Sequence, residues 1–202
     1  MKYRTVAIHW LPHTPAEWRT FTASRKEAAR LWGDLVARHH RVRRRRVTWP
    51  SKGRWERWAR GKYPGLSAQS VQQLLGEFCE AVHSTRQLRK KGHDDAPYPW
   101  RRPRYHDVVY TNQDARVRHG DLVLPHGTSG RLHIPLSRDL PGRLVEVRLQ
   151  MGRLLLVCAV EDTPRPQQTV LGVDLGVNTL IAATDGEKAL LVTTPRPKGR
   201  SF

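Results

Sequence analysis

Hydrophobic positions in the first half of the chain recur at helical spacing. Thr14-Pro15-Ala16-Glu17 has the form of a capping box with proline at the first helical position, so it predicts the start of a helix. The helix is predicted to end at His39-His40, just before Arg41–Arg46. Adjacent residues do not share a helix face, so a metal site formed by the two histidines is not expected. Both are expected at the solvated end of a basic helix. The predicted buried face holds Trp18, Phe21, Ala28, Trp32 and Leu35.

A second helix is predicted from Ser67, and a loop without regular structure follows it. The buried stripe of this helix is predicted to contain Val71, Leu74, Leu75, Phe78, Val82 and Leu88. The segment HDDAPYPWRRPRYH comes next, and its prolines exclude helix and strand.

From Asp107 onward the apolar positions alternate with a period of two. Turn-forming pairs separate the runs, so short antiparallel strands are predicted, and five of them indicate a barrel or a sandwich. A strand from Tyr3 to Trp10 is expected to join this sheet, with the helices inserted between. The later strands are predicted in DVVYTN, ARVRHGDLVLP, GRLHIPL, RLVEVRLQ and RLLLVCAVE.

The stretch VLGVDLGVNTLIAATDG predicts a strand, a tight bend, a strand and a turn. Asp174 ends its first apolar run, after a predicted linker from Asp162 to Thr169. A buried carboxylate is costly unless it is paired, and a divalent cation with its waters is the usual partner at the mouth of a small sheet. The alternative is that Asp174 caps the turn through backbone amides.

The charge balance favours a polyanionic partner. The chain has 36 Lys and Arg against 18 Asp and Glu, for a net charge of +18. Arginine-rich codon usage would explain arginine over lysine, but not the scarcity of acids. Cys79 and Cys158 show no zinc-binding spacing, and no apolar run approaches the length of a membrane helix. The expected setting is therefore the cytoplasm, in association with the nucleoid, with no zinc site and no membrane partner.

Basic and aromatic residues are interleaved in several segments, a pattern typical of nucleic-acid binding. Three tryptophans, Trp49, Trp55 and Trp58, either stack on bases or pack a small helical core, and their near-helical spacing leaves both open. The candidate nucleic-acid-binding residues are Arg43, Arg44, Arg45, Arg46, Lys52, Lys62, Arg86, Arg89, Lys90, Lys91, Arg101, Arg102 and Tyr105.

The order of these segments resembles the N-terminal half of the TnpB (OrfB-type) transposon-encoded nucleases, relatives of the type V CRISPR effectors. The resemblance implies an α+β fold: an antiparallel wedge β-barrel from residues 1–11 and 105–161, an inserted helical recognition region at 12–104, and the first strands of an RNase H-like (RuvC) domain at 170–202. The matching segments are KYPGLSAQSVQQLL, RQLRKKG, PYPWRRPRY, VVYTNQ, GDLVLP, GRLHIPL and GVDLGVNTLIAATDG.

The same resemblance implies an RNA guide, a target DNA and Mg²⁺-dependent cleavage. Asp174 matches the first catalytic aspartate and metal ligand of that family. Gln72, Gln73 and the loop of Thr111, Asn112 and Gln113 would lie near the target duplex, where amides pair with adenine edges; an ordinary polar surface is the alternative. The family's later glutamate, its zinc-binding cysteines and its final aspartate have no counterpart, so we expect a truncated, catalytically incomplete chain that lacks a C-terminal nuclease half.

Two other classes of function remain open. Sugar kinases and actin-like ATPases also contain G-x-D-x-G, but there the motif normally starts the domain, whereas here a long basic region precedes it. The second alternative is that the chain is a remnant or a regulator that binds nucleic acid without cutting it.

Overall fold

The structure, a computed structural model, describes residues 2–161, 172–174, 179–184 and 189–193. The chain divides into two compact units, Met1–Glu161 and Asp162–Phe202. The predicted linker, Asp162 to Thr169, lies outside the described residues.

The first helix, α1 (Pro15–Arg44), begins at the predicted capping box. The Thr14 hydroxyl accepts the backbone N–H of Glu17 at 3.2 Å, and the Glu17 carboxylate accepts the backbone N–H of Thr14 at 3.2 Å. Phe21, Ala28 and Leu35 are buried as expected, whereas Trp18 is 37% exposed.

The predicted end of α1 is wrong. The helix continues to Arg44, and the His39 side chain is fully buried instead of lying in solvent. Trp32, Leu35, Val36 and His39 recur at the spacing of one helix face, so His39 continues the buried stripe.

Two further helices pack with α1. Helix α2 spans Lys52–Ala59, and α3 spans Ala68–Lys90, where the Ser67 hydroxyl accepts the backbone N–H of Ser70. The buried stripe of α3 is confirmed at Leu74, Leu75, Phe78 and Val82. Leu88 departs from the prediction and is 45% exposed, because it lies in the last turn, beyond the core.

Four strands form the larger sheet of the first unit, in the order β1-β7-β6-β2. Strand β1 pairs antiparallel with β7 along its whole length, which confirms that the N-terminal strand joins the later sheet. A hairpin with Met151-Gly152 at its turn joins β6 to β7, and Gly152 has φ of +76°. The strands are β1 (Lys2–His9), β2 (Val108–Thr111), β6 (Arg143–Gln150) and β7 (Arg153–Val160).

A three-stranded antiparallel sheet, β3-β4-β5, covers the other side of the core. Its strands are β3 (Arg116–Arg118), β4 (Asp121–Pro125) and β5 (Arg131–Pro135). The described strands therefore form two sheets, and the predicted closed barrel is not seen. The chain turns at Thr111, whose carbonyl accepts the N–H groups of Asp114 and Ala115, so β3 leaves the first sheet and pairs only with β4.

Both sheets and all three helices share one apolar core. It contains Leu122 and Ile134 from the smaller sheet, Leu149 and Leu156 from the larger sheet, and Phe78 from α3. The alternation predicted from sequence turns the four strand residues inward, and helical spacing does the same for Phe78. The polar positions between them are consequently left on the outer faces.

The second unit contains an antiparallel meander in the order β10-β9-β8. The two predicted strands are confirmed by β8 (Gly172–Asp174) and β9 (Thr179–Thr184), which β10 (Ala189–Thr193) follows. Gly176 of the bend and the turn of Asp185 and Gly186 lie outside the described residues.

Candidate nucleic-acid interface

Basic side chains gather where α1 and α3 end. The last turn of α1 holds Arg41, Arg43 and Arg44, and the last turn of α3 holds Arg89 and Lys90. Cations at helix C-termini are stabilised by the partial negative charge there, so part of this clustering has a structural cause. Arg45, Arg46 and Lys91 extend the exposed basic group beyond the helix ends.

Aromatic rings bring three of the predicted binding residues together. The Tyr98 ring lies between two guanidinium groups, with Arg43 at 4.2 Å and Arg89 at 4.9 Å from its centroid. The Arg86 guanidinium lies 5.0 Å from the centroid of Trp49. We call these five residues the Tyr98 cluster.

The Tyr98 cluster leaves its arginines available to a ligand. Among the described residues, the ion pairs of arginine involve Arg25, Arg30 and Arg148, and none involves Arg43, Arg86 or Arg89. A guanidinium over a ring keeps its N–H groups pointing outward in its own plane, where a phosphate is bound bidentately. Arg89 uses Nε for the carbonyl of Ala96, at 2.9 Å, which fixes its orientation.

His39 lies against the same aromatic rings. Its ring centroid is 4.8 Å from that of Trp49, 5.0 Å from Tyr98 and 6.0 Å from Phe78. Burial is the main cause that lowers the pKa of His39 to about 4, and the charges of Arg43, His40 and Arg86 contribute to the same decrease. At neutral pH this imidazole is therefore uncharged and acts as a packing group.

The tryptophans of the α2 region pack the helical core. Trp55 is 1% exposed and belongs to the core, so the packing alternative is correct for this residue. Trp49 and Trp58 are partly buried against it. Arg38 lies over Trp55 and Trp58, and Lys62 lies 4.6 Å from the Trp58 centroid. Lys52 is exposed at the first position of α2, outside the Tyr98 cluster.

The loop after α3 presents further candidates. Arg101, Arg102 and Tyr105 are exposed, and the structure places them in a segment without helix or strand, as predicted. Arg25 lies 5.7 Å from the centroid of Tyr105 and forms an ion pair with Asp107 at 3.6 Å. Tyr105 is therefore held against α1.

Hydrogen bonds connect the two segments predicted to face a duplex. The Gln69 amide on α3 donates to the side-chain oxygen of Gln113 at 2.5 Å, and the Ser67 hydroxyl donates to Asp114. The backbone N–H of Asn112 donates to the backbone carbonyl of Val145 in β6. The loop of Thr111, Asn112 and Gln113 is therefore fixed to both α3 and β6. On α3, Gln72 is exposed and Gln73 is half-buried.

A second basic surface lies on the outer face of the β3-β4-β5 sheet, and the sequence prediction missed it. A hollow of about 450 Å³ is lined there by Arg116, Arg118, Arg131, His119 and His133, together with Asp114 and Asp121. The sequence signal for this surface was the alternation of residues in RVR and RLHIP. Once the face that carries the leucines is assigned to the core, every second residue of these strands must lie on the outer face.

Asp174 is the last residue of β8 and pairs with Ala182 of β9. Its position at a strand end agrees with the geometry expected of the motif. No group of three or more metal-ligating side chains occurs in the part of the chain that the structure describes.

Among the comparisons with known proteins, the comparison with solved structures gives matches. No protein-family model and no curated protein sequence matches this chain. Within the described ranges, no helix combines the length and apolar character needed to cross a bilayer. In its fold, the chain is similar to a protein chain in a cryo-EM structure of the Cas12f1–sgRNA–target DNA complex, with 12% identity and a TM-score of 0.44. The match covers 96% of this chain and 57% of the other, so this chain spans a little over half the length of that one.

Proposed function

We propose that this protein binds nucleic acid through the Tyr98 cluster and the basic residues around it. The observation that carries the proposal is the set of guanidinium groups held on aromatic faces. Arg43, Arg86 and Arg89 are each positioned by a ring and have no carboxylate partner among the described residues.

Pre-positioned guanidinium groups favour phosphate binding for two reasons. Less side-chain entropy is lost when the phosphate binds, because the aromatic ring already restricts the arginine. Binding also releases the counterions condensed on the nucleic acid, which gives a large favourable term at low salt. The net charge of +18 adds a long-range attraction for any polyanion.

Our finer proposal is that the ligands are a guide RNA and a target DNA, as in a TnpB-like, transposon-encoded nuclease that acts in the cytoplasm in association with the nucleoid. Its support is the order of the matching sequence segments, together with the helices placed between β1 and β2 in the chain. In this proposal the α3 amides and the loop of Thr111, Asn112 and Gln113 face the target duplex. The outer face of the β3-β4-β5 sheet supplies further phosphate contacts.

The finer proposal also gives Asp174 a role in holding Mg²⁺. A cation held there would supply Lewis-acid activation of water for phosphodiester hydrolysis. Asp174 would supply one carboxylate oxygen, and other groups would have to complete the site. Binding of nucleic acid does not depend on this role, since the Tyr98 cluster belongs to the first unit and Asp174 to the second.

The test of binding uses a triple variant, Arg43→Gln, Arg86→Gln and Arg89→Gln. On duplex DNA we expect a weaker affinity and a slope of log K against log salt reduced by about 2 to 3, since about 0.9 is lost per phosphate contact. Fluorescence anisotropy across a salt series measures both quantities.

The matched control is Arg19→Gln. Arg19 is an exposed arginine of the same helix, and it lies roughly 36 Å from Arg43 at about 1.5 Å per residue. Its removal should leave the slope unchanged. Equal slopes for the wild type and the triple variant, or binding that is insensitive to salt, would reject the Tyr98 cluster as the binding surface.

A further inference from the structure

Trp100 is the most exposed of the seven tryptophans, with 61% of its surface accessible. The others are buried or packed against the core, apart from Trp18 at 37% exposure. A large ring left in water loses the free energy that burial would provide. Single exposed apolar residues are common on protein surfaces, so the surroundings of Trp100 decide what it does.

The loop that presents Trp100 is fixed at both ends. On the N-terminal side, the Thr85 hydroxyl donates to the carbonyl of Pro97 at 3.1 Å, and Tyr98 lies between Arg43 and Arg89. On the C-terminal side, the backbone N–H of His106 donates to the backbone carbonyl of Arg25 at 3.1 Å. The imidazole of His106 also stacks on Trp32, with centroids 4.8 Å apart.

Prolines stiffen the short span between these anchors. Pro99 and Pro103 flank the exposed ring and fix their own φ angles. The backbone around Trp100 therefore has little freedom to lose when a ligand binds. This is the condition under which an exposed aromatic side chain contributes most to affinity.

The charges around Trp100 identify the chemical class of the ligand. Arg101, Arg102 and Arg104 are exposed and form no ion pair with other described residues. The Arg101 guanidinium lies 5.4 Å from the Trp100 ring centroid. An aromatic face beside several free guanidinium groups suits a base together with its backbone phosphates.

We propose that Trp100 is a base-stacking residue and that the loop of residues 97–105 binds a single-stranded stretch of nucleic acid. An unpaired base is required, because the bases of a duplex already stack on their neighbours and do not offer a free face. The proposal rests on the proposed nucleic-acid-binding function and adds the class of ligand that this loop accepts.

The experiment compares two single strands of equal charge. One is a twelve-nucleotide thymidine strand, and the other has the same number of phosphates but abasic sugars. We expect Trp100→Ala to weaken binding of the thymidine strand about 5-fold or more, the range given by loss of one base–aromatic stack. Binding of the abasic strand should be the same for both proteins, because there is no base to stack.

Two further variants separate stacking from charge and from folding. Trp100→Phe keeps an aromatic face and should retain most of the affinity for the thymidine strand. Arg101→Gln should weaken binding of both strands about equally and reduce the slope of log K against log salt by about 0.7. A blunt duplex should bind wild type and Trp100→Ala equally. Circular dichroism and the melting temperature of each variant verify that the fold is kept.

The outcomes distinguish this inference from the function on which it rests. If Trp100→Ala binds the thymidine strand as tightly as wild type does, stacking is rejected while nucleic-acid binding stands. If Trp100→Ala loses affinity equally for both strands, or Trp100→Phe is as weak as Trp100→Ala, the ring acts through structure and stacking is likewise rejected. If wild type binds none of the strands in a salt-dependent manner, the proposed function itself fails.

Discussion

His39 is a fully buried imidazole among aromatic rings, and it makes stability depend on pH. The pKa of His39 is lowered to about 4 and that of His126 is also lowered to about 4, in both cases mainly by burial. The unfolded chain binds these protons near pH 6.5. Between about pH 6.5 and 4 the unfolded state therefore binds more protons than the folded state, so stability is lost as the pH falls through this window.

We expect His39→Leu to make the melting temperature less sensitive to pH. Wild type should melt several degrees lower at pH 4.5 than at pH 7, and the variant should show roughly half of that decrease, because His126 remains. The charged and titratable groups facing His39 are Arg43, His40 and Arg86. The measurement is a series of thermal melts by circular dichroism.

His40→Leu is the matched control, since His40 is the exposed neighbour of His39 on α1. It should preserve the pH dependence of wild type. A His39→Leu variant whose melting temperature falls with acid as steeply as that of wild type would contradict this account of the buried ring.

The spacing of His39 in the sequence indicated a buried position, but the chemistry of the residue and of its neighbours indicated the opposite. Its spacing from Trp32, Leu35 and Val36 is that of the buried stripe, whereas its polarity and basic neighbours suggested solvent. Leu88 shows the converse, since an apolar residue at stripe spacing is exposed where the helix has passed the end of the core. The period of the hydrophobic residues identifies which face of a helix is buried. How far along the helix this burial extends depends on the other elements that cover it.

At the scale of elements, the loop between β4 and β5 docks on the segment that precedes α3. The backbone N–H of Thr128 donates to the carbonyl of Pro64 at 2.8 Å. Gly127 has φ of +52°, and a methyl group there would overlap the carbonyl oxygen of Pro64 and lie 2.9 Å from that of Leu66. Both neighbours are backbone atoms and cannot rotate away.

Gly127→Ala is therefore expected to destabilise the protein by about 2 kcal/mol or more, through overpacking and backbone strain together. Gly130→Ala in the same loop is the control for strain alone, since its φ is +92° but nothing lies within 4 Å of the added carbon. Urea unfolding measures both free energies of unfolding. A Gly127→Ala variant as stable as wild type would show that the close approach to Pro64 contributes nothing.

The elements themselves could largely be predicted from sequence, but their assembly could not. The capping box, the α3 stripe and the β6–β7 hairpin are local features, because each depends on residues that are close in the chain. The partition of the strands into two sheets depends on a turn at Thr111 that redirects β3, and strand alternation is the same in a barrel and in a sandwich. The Tyr98 cluster likewise joins three segments that no local pattern connects.

At the scale of the whole molecule, the proposed function places nucleic-acid binding and metal-dependent chemistry in different units. The basic surfaces belong to Met1–Glu161, whereas Asp174 ends β8 in Asp162–Phe202. Replacing Asp174 by Asn removes one negative charge from a chain of net charge +18 and changes no residue of the basic surfaces. We therefore expect Asp174→Asn to bind RNA and DNA with the affinity and salt slope of wild type.

Cleavage should respond to the same substitution in the opposite way. If the proposed nuclease role is right, then in an assay that supplies Mg²⁺, a guide RNA and a target DNA, Asp174→Asn should reduce the cleavage rate to background, because an amide oxygen carries no negative charge to hold the cation. A charge-matched control, Asp139→Asn at an exposed aspartate between β5 and β6, should cut as wild type does. If Asp174→Asn cuts at the wild-type rate, the side chain serves the turn through backbone amides, and the metal role assigned to it is wrong.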